Sequence, residues 1–397
     1  MHYKKHHKKR NSFIPAFIIL VLILLVMVEC YLLFYQNQPD SSSQTNSSET
    51  SMMTESSPSN TQDIEQTKNF NQEVQPSSDF AEELNQKLED IQFTGTALII
   101  HNGQIILQKG FGYANVSESR PNTYDATFQI GSIQKAFTAS LILKQVQARK
   151  LSLDDTLDQF YPTIPDSQKI TIRQLLSMTS GLEQKVKPTI LMTDDDFIQF
   201  SIANATMGVY GKYKYEGVNY SILVGILEQV TGQSYRTLFT QTFIQGLNLS
   251  HTCFYDDFIH SSNRTYAYKP ASGKDFGTQI NDNPLTFDQE VGTGNVGMTV
   301  GDLYLFYSDL FEGKIIDQQI MEEVWTPETE TKYMGGLYNF ATHIKGHGNE
   351  AGFESNAMFS KDRKNAVILL SNQYPKNDSH SKLADSIFDL LESDQSE

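Results

Sequence analysis

Phe128-Gln129-Ile130-Gly131-Ser132-Ile133-Gln134-Lys135-Ala136-Phe137-Thr138 is the stretch on which the reading of this chain turns. Residues 132–148 read as a helix, and on a helix positions i and i+3 share a face with Cβ atoms roughly 5–6 Å apart. The Ser132 hydroxyl and the Lys135 amine are therefore predicted to meet. Gly131 permits a sharp lead-in, which puts Ser132 at the helix start, where backbone N–H groups and the dipole favour an oxyanion. The same field and burial disfavour a charged amine, so a neutral Lys135 can take the Ser132 proton. Spacing alone is a weak signal. Ser379-His380-Ser381-Lys382 repeats it in a polar terminal helix without the glycine, and is read as chance.

Outward from this helix, 80–91 reads as a helix with Phe80, Leu84, Leu88 and Ile91 on one face. Strands at 95–100 and 104–108 flank Asn102-Gly103, a dipeptide that favours a tight hairpin. The middle is mostly helical, at 172–177, 194–203, 218–230, 235–243 and 300–311. Strands follow at 335–344, 354–360 and 366–371, and a last helix at about 378–391. Strands at both ends around a helical insert predict an α+β fold, with one antiparallel sheet built from the two chain ends.

The rest of the 397 residues is ordinary globular material only after the N-terminal part is set aside. Residues 1–12 hold Lys4, Lys5, Lys8, Lys9 and Arg10, and 13–35 are almost wholly apolar. Twenty residues from Ala16 to Tyr35 would span about 30 Å as a helix, the thickness of a bilayer core. An uncleaved single-pass anchor with a cytoplasmic N-terminus and an extracellular remainder is expected. Residues 36–78 carry 16 Ser or Thr and five apolar residues, which predicts a disordered tether ahead of a folded domain at 79–397. From residue 36 onward, 26 basic residues face 46 acidic ones, a balance of −20 that repels phosphates and excludes nucleic acid as a partner. Cys30 and Cys253 are the two cysteines, and no disulfide between them is expected.

Several ordered segments carry a resemblance. The Phe128–Thr138 stretch resembles the active-site segment of serine β-lactamases and penicillin-binding proteins. Leu151-Ser152-Leu153-Asp154-Asp155 and Ile172-Arg173-Gln174-Leu175-Leu176-Ser177-Met178-Thr179-Ser180-Gly181-Leu182 resemble segments of the class C branch. Tyr215-Glu216-Gly217-Val218-Asn219-Tyr220 resembles its tyrosine motif. The resemblance implies a β-lactamase/transpeptidase-like fold and a serine acyl-transfer site: Ser132 as nucleophile, Lys135 as the amine beside it, and Tyr215 as proton relay to the leaving group. Lys212 and Lys214 flank Tyr215 and are placed to act on its phenol electrostatically. The motif's usual third member is Asn, and here it is Gly217. Asn219 is an offset substitute. The third motif, Lys or His, one residue, then Gly, has its counterpart in Lys345-Gly346-His347-Gly348-Asn349-Glu350-Ala351-Gly352-Phe353, one residue short. His347 is the favoured match, with Gly348 and Asn349 as backbone groups near substrate.

Three other patterns are set aside. Gly292-Thr293-Gly294-Asn295-Val296-Gly297 fits the dinucleotide pattern but lacks a βαβ context, and better matches the family's glycine-rich loop. His343 and His347 are four apart without helical surroundings, which argues against a metal pair. Asp194-Asp195-Asp196 reads as a helix N-terminus rather than a Ca²⁺ loop. No cofactor or metal is expected. The whole implies a membrane-anchored extracellular serine hydrolase, similar in character to teichoic-acid D-alanine esterases. Its expected partner is a cell-envelope polymer, either D-alanylated teichoic acid or a peptidoglycan stem peptide. D,D-carboxypeptidase or endopeptidase, non-catalytic wall protein and β-lactamase remain open as alternatives.

Overall fold

Ser78 caps the first helix, α1 (Asp79–Asp90), by accepting a hydrogen bond from Ala81 N–H. The strands β1 (Gly95–His101) and β2 (Gln104–Phe111) then form the expected hairpin. Asn102 and Gly103 both have positive φ, 50° and 80°, as a two-residue turn matching the strand twist requires. A short strand, β3 (Phe128–Gln129), leads into a single 3₁₀ turn, Gly131–Ile133, and then α2 (Gln134–Gln147). The helical insert includes α3 (Val218–Thr231). It ends in β4 (Val296–Met298), which pairs with β3, and α4 (Val300–Phe311), capped by Thr299. The last part brings β5 (Tyr333–Met334), β6 (Leu337–Asn339), β7 (His343–Glu350), β8 (Phe353–Ser360), β9 (Ala366–Ser371) and α5 (His380–Ser393).

These elements belong to a computed structural model that describes residue 70 and residues 72–270, 276–325, 332–375 and 379–394. The basic segment, the expected anchor at 13–35 and the tether up to residue 69 lie outside the described residues. Among the described residues, no helix is long and apolar enough to cross a membrane.

The main sheet runs β5-β6-β7-β8-β9-β1-β2, and each neighbouring pair is antiparallel. β1 sits between β9 and β2, so the two ends of the folded part are knitted side by side, as expected. Strand alternation sends successive side chains to opposite faces. Ala97, Ile99, Met358, Val367 and Leu369 pack under α1 and α5, against Leu84, Leu88, Ile387 and Phe388. Leu98, Ile100, Ala357, Phe359, Ile368 and Leu370 face the helical insert, with Phe137 and Phe306. The fold is therefore a three-layer α+β arrangement, and α2, which follows Ser132, lies on the insert side.

Three expectations need correction. The strand read across 335–344 is two turns, the short strand β6 and the start of β7. Gly335 and Gly336 take φ of 58° and 81° and reverse the chain between β5 and β6, and Phe340–Thr342 reverse it again into β7. A Cβ on Gly336 would lie 2.3 Å from Ala136 N, so this hairpin closes directly on α2. The helix read across 235–243 is α-helical only over Tyr235–Phe239 and continues as a π-turn, Thr240–Gln245. The tether also ends earlier than expected. Val74 exchanges backbone hydrogen bonds with Gln108, and the Phe70 ring packs against Tyr304 at 5.0 Å. Two of the few apolar residues in 36–78 lie at its end, where burying them offsets the entropy of ordering the chain.

Candidate active site

Gly131 has φ of 52°, the left-handed value that lets the chain swing from β3 into α2. The turn leaves Ser132 partly exposed and Lys135 buried, with 2% of its surface accessible. Lys135 Nζ donates to Ser132 Oγ at 2.9 Å and to the Thr293 carbonyl at 3.0 Å. Both acceptors are neutral oxygens. Thr293 belongs to the glycine-rich loop: Gly292, at φ of 72°, presents its carbonyl to Thr138 Oγ1 at 2.7 Å, and this bond ties the loop to α2. The loop is a wall of the site, not a dinucleotide cradle.

Tyr215 comes from the other side of the insert. Its ring lies over Lys135 Nζ, 5.3 Å from the centroid, and meets Tyr333 edge-on at 5.7 Å. Tyr215, distant in sequence, is thus brought to the Ser132–Lys135 pair. Lys214 does not address the Tyr215 phenol. It pairs with Glu183 and Glu216, each at 2.9 Å, so its charge is taken up by carboxylates. Gly217 has ordinary helical angles (φ −59°, ψ −30°), and a Cβ built there meets no atom within 4 Å. Asn219 is no substitute for the missing amide. It is 1% exposed, accepts from Ser180 Oγ at 2.5 Å and donates to the Glu216 carbonyl at 2.9 Å. Both ends of its amide are spent holding the start of α3.

The third motif divides by strand parity. Gly346 and Gly348 face the nucleophile: a Cβ on Gly348 would lie 2.0 Å from the Ile130 carbonyl oxygen and 3.0 Å from Ser132 N. Only glycine lets β7 run this close. The backbone of Asn349 passes over Gly131, whose own Cβ would lie 2.9–3.0 Å from it. Gly348 and Asn349 therefore stand beside Ser132 as backbone groups. His347 does not stand with them. As the next residue along a strand it points to the opposite face, where its Nε2 lies 3.2 Å from Glu354 Oε1. The expectation of a substrate-facing His347 side chain is overturned by that alternation.

Glu354 is the hub behind the strand. It is 2% exposed, and its carboxylate meets His347, Ser379 Oγ, His380 N–H at 3.1 Å and Ser381 N–H at 3.3 Å. Burial alone would raise its pKa. The bonds from His347, Ser379 and the His380 N–H outweigh burial and hold it down at about 2. Ser379, the decoy of the sequence, caps α5 and donates to this carboxylate. Of the other patterns set aside, Asp194-Asp195-Asp196 form the first turn of a helix capped by Thr193. His343 and His347 lie on β7.

Two carboxylates near the nucleophile escape sequence reading. Glu290 Oε2 accepts from Thr293 Oγ1 at 2.5 Å, and Glu350 shares the strand face of Gly348. Glu350 was legible in principle, two residues after Gly348, once the strand's register is known. Glu290 had no local signal.

A hydroxyl bonded to a buried amine, with a glycine strand drawn along its backbone, is machinery for acyl transfer. Comparison with known proteins agrees: residues 80–392 match the family model described as beta-lactamase. The chain belongs to that family, as a β-lactamase-related serine hydrolase. It is 32% identical over 285 residues to the putative penicillin-binding protein PbpX of Bacillus subtilis (strain 168), covering 72% of each chain. It is 29% identical over 262 residues to the teichoic acid D-alanine hydrolase of Staphylococcus aureus, covering 63% of this chain and 64% of that enzyme. The crystal structure of FmtA from Staphylococcus aureus superposes with a TM-score of 0.70 at 26% identity, covering 81% of this chain and 91% of that one.

Proposed function

We propose that this hydrolase is a D-alanyl esterase acting on teichoic-acid-type polymers through a D-alanyl-Ser132 intermediate. The observation that carries the reading is the altered tyrosine motif. Gly217 offers no amide to a peptide substrate, and the nearby amide of Asn219 is consumed inside the fold. An ester has a better leaving group than an amide and does not need that contact. The similarity to a teichoic acid D-alanine hydrolase supports the same substrate class.

In this mechanism Lys135 Nζ takes the Ser132 proton across the 2.9 Å bond as Oγ attacks the ester carbonyl. The Ser132 N–H and a backbone N–H of the Gly348–Asn349 pair receive the oxyanion. Collapse breaks the bond to the polymer oxygen, which leaves as a hydroxyl with the proton relayed through Tyr215. Water then attacks the acyl-enzyme, returns a proton to the Lys135–Tyr215 pair, and releases D-alanine with Ser132 restored.

The test is a comparison of leaving groups. A D-alanyl ester should be cleaved much faster than the matching D-alanyl-D-alanine peptide. Gly217→Asn fits the open space and helical angles there, and should shift the peptide-to-ester rate ratio upward by about 2- to 150-fold, the range for one hydrogen bond. Wild-type enzyme that trims pentapeptide as readily as it removes ester-linked D-alanine would replace this reading with the carboxypeptidase one.

The same proposal places the domain outside the cell on an uncleaved helix at 13–35, on the strength of the basic start and the 20-residue apolar run. Protease added to intact cells should release the domain by cutting between residues 36 and 69. Protection of the domain, or a mature chain beginning after residue 28, would overturn this topology.

A further inference from the structure

Buried acids in this fold have partners. Glu354 is surrounded by donors, and Asp302 accepts from Thr252 Oγ1 and His251 N–H at 2.7 and 2.8 Å. Glu350 is the exception on the nucleophile's side of the sheet. It is partly buried, yet no hydrogen bond or ion pair reaches its carboxylate among the described residues. It lies two residues beyond Gly348 on the same face of β7, roughly 7 Å further along the strand. Glu290, whose charge reaches Glu350, is held by Thr293, whose carbonyl holds Lys135. A Cβ on Gly294 would lie 3.4 Å from Glu290 Cβ and 3.5 Å from Gly131, so Gly294 alone separates Glu290 from the turn that carries Ser132.

We propose that Glu350, seconded by Glu290, is the specificity-determining group of this site and receives the free ammonium of an aminoacyl ester poised for attack by Ser132. The inference rests on the esterase reading and narrows it to substrates whose amine is not acylated. In such an ester the ammonium is one carbon from the reacting carbonyl, so a carboxylate near the nucleophile is within its reach. Without a partner the ionised form of Glu350 is disfavoured, and an arriving ammonium supplies that partner and draws the group into its carboxylate form. Burial, and then the charge of Glu290, push Glu350 up to about 8, against the opposing charges of Lys135 and Lys187. An N-acylated stem peptide or a penicillin carries no such ammonium and would leave Glu350 unpaired, which discriminates against both.

The experiment uses the full-length chain and four probes: D-alanyl and N-acetyl-D-alanyl esters of glycerol, and the two corresponding amides. The wild-type enzyme should prefer the free-amine ester. In Glu350→Gln the ratio of kcat/KM for free-amine over N-acetyl ester should fall by about 10- to 100-fold, chiefly through KM, and Glu350→Asp should recover part of it. Removing an unpaired carboxylate should leave the thermal midpoint equal or higher, which separates selectivity from misfolding. A ratio unmoved by Glu350→Gln overturns the proposal. So does an equal loss on both esters with accumulation of acyl-enzyme, the mark of a general base. If amides are cut as fast as esters while the amine preference still depends on Glu350, the amine-recognition proposal stands and the esterase reading falls. Ester preference with indifference to Glu350 gives the reverse.

Discussion

Ser132→Ala should abolish D-alanyl ester turnover, by on the order of 10⁴- to 10⁶-fold, and with it all covalent labelling by a fluorophosphonate. The fold should survive, because among the described residues the hydroxyl's only structural tie is the bond from Lys135 Nζ. Ser379 is the matched control. Its hydroxyl caps α5 and donates to Glu354, so Ser379→Ala should keep labelling intact while costing about 1 kcal/mol of stability. Labelling that persists in Ser132→Ala would remove the nucleophile assignment, whatever the turnover assay reports.

The second large effect falls on stability, and it is set by pH. Glu354 is held at about 2 against an ordinary 4.5, so the native state binds its proton less readily than the unfolded chain does. Its contribution is therefore complete above about pH 5, and is lost as pH falls through 4.5 toward 2. A shift of that size corresponds to on the order of 3 kcal/mol. Glu354→Gln keeps the shape but not the charge. Denaturant melts should show the variant less stable by about that amount at pH 7, with the gap closing by pH 2 to 3. A gap that does not change with pH would mean the loss is packing rather than charge. Because His347 and the start of α5 meet at this carboxylate, the neutral-pH variant should also lose activity without losing fluorophosphonate labelling.

The Ser132–Lys135 pairing was legible because its signal is local: a glycine turn, a serine and a lysine one helical turn on all lie within one short stretch. The sheet built from both ends was legible from short continuous apolar runs such as 95–100 and 366–371. What failed depended on the third dimension. A Lys/His-x-Gly pattern does not say which face of a strand each residue takes. Contact between Gly348 and the Ile130 carbonyl decides that for β7, and it sends His347 to the far side. The apolar rhythm of 335–344 ran straight through Gly335-Gly336, where close approach to α2 demands a turn. Asn219 looked available because sequence does not show that Ser180 and Glu216 had already claimed it. Glu350 and Glu290 converge from segments of different secondary structure, and neither has a local pattern that names the other.

The placement of β1 between β2 and β9 has a consequence for the order of events during synthesis. The hairpin and the Ser132–Lys135 helix are made early, while β7, β8 and β9 are among the last strands to emerge. A growing chain therefore carries Ser132 and Lys135 but lacks the glycine strand that lies beside them. Until residue 371 has been made, one edge of β1 has no proper neighbour and stands open to wrong pairing. The sheet's closing contacts are long-range in sequence, so they form slowly and together. The Ser132 environment is thus completed only with the same strands that complete the sheet.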